Sequence, residues 1–83
     1  MPSAFILMSA ELGREAEVAK AIRAIGCVTE TYVVYGVYDV LVKLEARSIG
    51  ELNEAILRDI RGVPNVRSTI TMIVVEGLPS DMV

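Results

Sequence analysis

Asp39 closes the run Gly36-Val37-Tyr38-Asp39, and Thr69 and Thr71 stand two residues apart later in the chain. A carboxylate suits an α-ammonium group, whereas hydroxyls and backbone N–H groups suit an α-carboxylate. Brought together, these residues hold the two charged ends of a free amino acid. Each stretch alone also has an ordinary reading. Gly36 to Asp39 reads as a hairpin turn with an aromatic at its rim, and Thr69-Ile70-Thr71 as simple β-propensity. Tyr32, Tyr35 and Tyr38 flank the same turn, where packing in a core or an interface is the default role of a tyrosine.

Catalytic chemistry is poorly provided for. The 83-residue chain has no histidine, so it lacks an imidazole base and an imidazole metal ligand. Its one cysteine, Cys27, follows a helix end in apolar surroundings and reads as a small core residue rather than a nucleophile. Neither a Cys-x-x-Cys pair nor a glycine-rich phosphate loop ending in lysine occurs. Glu15 and Glu17 sit on a polar helix face, where solvation accounts for them. No catalytic residue, cofactor or metal site is expected.

The elements that must position Asp39 and the threonines follow from periodicity. Ala4–Ala10 reads as a first strand. From Arg14 to Ile25, Val18, Ala21, Ile22 and Ile25 form one helical stripe that Gly26 ends. A second strand runs from Val28 to Tyr35, and Gly36-Val37 reads as a two-residue turn with glycine first. The third strand, Tyr38–Ala46, alternates cleanly: Val40, Val42 and Leu44 on one face, Asp39, Leu41, Lys43 and Glu45 on the other. Ser48-Ile49-Gly50-Glu51 is a capping box. It opens a helix with Ile49, Leu52, Ile56 and Ile60 on one stripe, and Pro64 forbids its continuation. Val66–Glu76 is the last strand, and residues 77–83 read as a mobile tail. The order β-α-β-β-α-β, with right-handed crossovers, predicts an α+β ferredoxin-like sandwich: a four-stranded antiparallel sheet with two helices on one face.

The other face of that sheet is unexpectedly apolar. A half-solvated strand alternates apolar with polar residues, but Ala4 to Met8 and Met72 to Val75 are apolar throughout. Leu41, Ile73 or its neighbours, and part of the Phe5-Ile6-Leu7-Met8 run must point away from the helices. Hydrophobic residues make up 53% of the chain without counting glycine, against about 45–50% with glycine in an ordinary globular domain. A domain this small buries roughly 60–65% of its unfolded surface and hides few of them. Such a composition predicts self-association.

The remaining bulk properties exclude several partners. Eight basic residues are scattered against eleven acidic ones, with a pI near 4.8, which argues against a nucleic-acid surface. No apolar run approaches the roughly 20 residues of a membrane span, and a secretory leader is absent from the sequence. A single cysteine fits a reducing, cytoplasmic setting.

At Cys27-Val28-Thr29-Glu30-Thr31-Tyr32-Val33-Val34-Tyr35-Gly36-Val37-Tyr38-Asp39-Val40 and again at Val66-Arg67-Ser68-Thr69-Ile70-Thr71, the chain resembles the effector-binding domain of Lrp/AsnC-type transcriptional regulators, often called the RAM domain. The likeness extends from about Ala4 to Val75. It implies dimers paired through their sheet faces and assembled into rings, octamers or decamers, with amino-acid effectors held in clefts between subunits. Carried onto this sequence, the cleft is lined by Gly36, Val37, Tyr38, Asp39, Thr69 and Thr71. Full regulators of the family carry an N-terminal helix-turn-helix domain. This sequence opens on the first strand, so the resemblance implies a stand-alone module without its own DNA-binding domain. A full-length relative is then a further partner. Two other readings of the topology are a small cofactor-independent dimeric enzyme and an ACT-type amino-acid sensor, the latter using a loop such as Glu11-Leu12-Gly13.

Overall fold

The computed structural model describes residues 1–77; the expected tail falls outside them except for Gly77. Four strands form one antiparallel sheet in the order β2-β3-β1-β4: β1 is Ser3–Ala10, β2 Val28–Val33, β3 Val40–Glu45 and β4 Val66–Ile73. Helix α1 (Glu15–Arg23) joins β1 to β2, and α2 (Ile49–Glu54) joins β3 to β4. The expected α+β ferredoxin-like sandwich is the fold observed. The thinnest extent of the molecule is 17 Å, the depth of one sheet and one helix layer.

The central strands carry the core. Ala4, Ile6 and Met8 of β1 and Val40, Val42 and Leu44 of β3 are fully buried, each alternating with a partly exposed neighbour. Val18, Ala19 and Ile22 bury the inner stripe of α1; Ala21 and Ile25 of the predicted stripe are only half-buried. The Ser48 hydroxyl accepts the Glu51 N–H at 3.1 Å, as the capping box requires.

After Glu54 the chain widens into a π-helical segment, Ala55–Ile60, in which Arg61 N–H donates to the Ile56 carbonyl at 3.2 Å. The wider winding keeps Ile60, eight residues beyond Leu52, on the sheet side, where both are fully buried. Ile49 departs from its expected place: it sits in the first turn with its side chain in solvent, 51% exposed.

The turn between β2 and β3 is also longer than predicted. Val34 N–H donates to the Asp39 carbonyl (2.8 Å), leaving Tyr35-Gly36-Val37-Tyr38 as the connection in place of Gly36-Val37 alone. Asp39 is held by β1 rather than by continuation of a tight turn, because its N–H donates to the Met8 carbonyl at 2.8 Å.

Candidate functional site

Strand pairing decides which of the predicted residues share a face. Residues opposite one another in an antiparallel ladder point to the same side. Met8 lies opposite both Val40 and Thr69, and Ile6 opposite both Val42 and Thr71. Met8, Ile6, Val40 and Val42 face the helices, so Thr69 and Thr71 do too, at the exposed margin of β4. Their two hydroxyls share a face, as the sequence spacing requires.

Asp39 lies elsewhere. It precedes Val40 at the start of β3, and its Oδ2 accepts the Ala10 N–H at 2.9 Å. Beside it, Ser9 and Ser68 join their hydroxyls at 2.6 Å. Among the described residues no hydrogen bond links Asp39 to either threonine. Gly36, Val37 and Tyr35 are exposed in the loop, and Tyr38 is half-buried. Within one subunit, therefore, the loop with Asp39 forms one half of the predicted site and the β4 threonines form a separate half.

The bare face of the sheet is built from two cross-strand rows. Tyr32, Leu41, Leu7 and Ile70 make the first row; Glu30, Lys43, Phe5 and Met72 make the second. Leu7, Leu41 and Phe5 are half-buried by their neighbours alone, while Tyr32, Ile70 and Met72 are 49%, 42% and 44% exposed. Ile73 is not on this face: it pairs with Ala4 on the helix side, and its neighbours Ile70 and Met72 take the outward positions.

A small charged network stands at one end of this apolar surface. Lys43 Nζ lies 3.6 Å from a Glu30 oxygen, 3.5 Å from a Glu45 oxygen and 5.8 Å from the centre of the Phe5 ring. The Tyr32 hydroxyl donates to Glu30 at 2.5 Å. That bond, helped by Lys43, holds the Glu30 carboxyl below its usual range, and the same bond raises the Tyr32 phenol. Alternation had placed Lys43 outward, but its pairing with Glu30 depends on the one-residue bulge at Thr29, which periodicity does not reveal.

Cys27 packs against the core, and burial pushes its thiol up, away from the thiolate a nucleophile needs. Among the described residues no three Asp, Glu, Cys or His side chains gather as metal ligands. Nor is any helix there long and apolar enough to cross a membrane.

A family model for the Lrp/AsnC ligand binding domain matches residues 3–82. The chain belongs to the Lrp/AsnC ligand-binding-domain family. Its likeness to the HTH-type transcriptional regulator FL11 of Pyrococcus abyssi is 38% identity over 73 residues, covering 88% of this chain and 48% of that protein. The chain thus spans about half the length of the curated Lrp/AsnC relative it matches. Among solved structures, the hypothetical protein PHS023 from Pyrococcus horikoshii superposes with a TM-score of 0.85 at 42% identity, with 93% of each chain covered. A third likeness is to the homocitrate synthase of Saccharolobus islandicus, 39% over 61 residues, which covers 74% of this chain and 13% of the enzyme.

Proposed function

We propose that this Lrp/AsnC ligand-binding domain is an amino-acid sensor that works as a homo-oligomer in the cytoplasm and acts by binding rather than by catalysis. The observation that carries the proposal is the pair of apolar cross-strand rows on the bare sheet face. Leaving Leu7, Leu41, Ile70, Met72 and Phe5 in water forgoes roughly 25 cal/mol for each Å2 that a second subunit would cover. Face-to-face pairing of two sheets is the direct way to cover them.

The effector site then forms between subunits. Asp39 with the Gly36, Val37 and Tyr38 loop supplies the ammonium-binding half, and Thr69 and Thr71 of a neighbour supply hydroxyls for the carboxylate. Their separation within one subunit supports a shared cleft. Regulation of transcription through co-assembly with a full-length relative follows from the likeness to FL11. A second reading, an allosteric module serving an enzyme, is favoured by the likeness to part of homocitrate synthase.

A thermal-shift panel of the twenty amino acids at millimolar concentration, run beside light scattering, tests the proposal. A multimer stabilised by at least one amino acid is the expected result. A monomer that responds to none overturns it.

A further inference from the structure

A bulge in β2 decides what the bare sheet face carries. Val28 pairs with Leu44 and packs against the core on the helix side. Strict alternation from Val28 sends Glu30 and Tyr32 to that same side. The extra residue, Thr29, reverses the phase: Glu30 pairs with Lys43 and Tyr32 with Leu41, both turned outward. The strand gives up one rung of its ladder and sets a carboxylate and a phenol on a face whose centre is apolar.

What the bulge assembles is a closed charge network. Lys43 Nζ stands between the Glu30 and Glu45 carboxylates, at 3.6 and 3.5 Å. The other Glu30 oxygen accepts the Tyr32 hydroxyl. Among the described residues that pair across the sheet, Lys43 is the one cation on the outward face. Its side chain is only 29% exposed before any partner arrives, with the ammonium 5.8 Å from the centre of the Phe5 ring. Both carboxylates at this corner thus share a cation of their own subunit and need none from across an interface.

Whether such a corner tolerates being covered depends on Lys43. An ion pair taken into an interface roughly breaks even against apolar groups of the same shape. A carboxylate covered without its cation is strongly unfavourable. With Lys43 in place, the apolar surface that a second copy brings can lie over the corner; without it, two unmatched carboxylates resist. We propose that Lys43 decides which faces pair: a second copy, whose Glu30 and Glu45 are matched within its own subunit, is accepted, and a face with unmatched carboxylates is refused. Rejection of the wrong partner is what gives an apolar surface its specificity. The inference rests on the sheet-face pairing proposed above. It holds whether or not the β2 edge is covered in the assembly, because the network lies on the face.

The test measures self-association of the intact protein by analytical ultracentrifugation and subunit mixing by native mass spectrometry. Lys43→Met should weaken self-association roughly tenfold or more. Lys43→Arg, which keeps the charge, should hold the parental value. The neutral triple variant Glu30→Gln, Lys43→Met, Glu45→Gln should regain it, a rescue that a merely structural role of Lys43 does not give. Wild type mixed with Lys43→Met should form fewer mixed assemblies than chance, and wild type mixed with the triple variant the chance proportion. Equal self-association of wild type and Lys43→Met overturns the inference, as does equal loss in Lys43→Arg or no rescue in the triple variant. In those cases the sheet-face pairing still stands if Leu41→Lys dissociates the parent. A parent that Leu41→Lys leaves assembled overturns both.

Discussion

Asp39 holds the end of β1: its Oδ2 accepts the Ala10 N–H at 2.9 Å while its own N–H donates to the Met8 carbonyl at 2.8 Å. The carboxylate is thus a clasp between loop and sheet. Asp39→Ala strands a partly buried amide and should cost about 1–3 kcal/mol. Hydrogen exchange at Ala10 and Val34 should quicken, and Asp39→Asn, which keeps an acceptor oxygen, should recover part of the loss. Unchanged exchange in Asp39→Ala would mean that the clasp does not form in solution.

Leu41 lies between Tyr32 and Leu7 in the first outward row. Leu41→Lys places a charge in the middle of the apolar surface while leaving the helix-side core intact. Light scattering should show dissociation, and far-ultraviolet circular dichroism should show the wild-type fold. A variant that keeps the parent mass removes this face from the assembly.

The Tyr32–Glu30 bond gives a pH signature with opposite signs at its two ends. Glu30 is lowered, so its contribution is present above the ordinary carboxylate range and fades as acid protonates it. Tyr32 is raised from 10.0, so its contribution is present below that pH and fades as alkali ionises the phenol. The melting-temperature difference between wild type and Tyr32→Phe should therefore be level around neutrality and shrink at both extremes. A difference that persists unchanged in acid would exclude Glu30 as the partner.

Ile56 is buried and Ile49 exposed, although both were expected on one helical stripe. Ile56→Ala should cost about 2–5 kcal/mol in denaturant unfolding, and Ile49→Ala under about 0.5. Ser48→Ala, which removes the helix cap, should cost about 1 kcal/mol. Comparable losses at Ile49 and Ile56 would place α2 differently on the sheet.

The positions of these residues show where sequence reading succeeds. Alternation in Val40 to Glu45 identified the buried and outward faces of β3 correctly, because a period of two is set by the pleat itself. Ser48 was legible for the same reason: capping depends on neighbours within one turn. The pairing of Met8 with Thr69 is different. It turns Thr69 and Thr71 to the helix side, away from Asp39, and such registers are fixed by contacts between strands far apart in the chain. Ile49 is exposed because it opens α2 beside the Ser48 cap, and spacing alone does not reveal that the first turn stands clear of the sheet. The turn was read too short because the Met8 carbonyl, not a local preference, fixes Asp39.

Both neighbours of β1 grip its beginning: Ala46 N–H donates to the Pro2 carbonyl at 3.0 Å and Val74 N–H to the Ser3 carbonyl at 2.9 Å. The Asp39 loop grips its other end, about 25 Å away at the strand rise. Anything joined ahead of residue 1 is therefore fastened at the pole opposite that loop. The strand between them is locked on both edges and packed beneath, so it transmits little by bending. In the homo-oligomer proposed above, an event at the loop would reach the far pole through a change in how whole subunits stack.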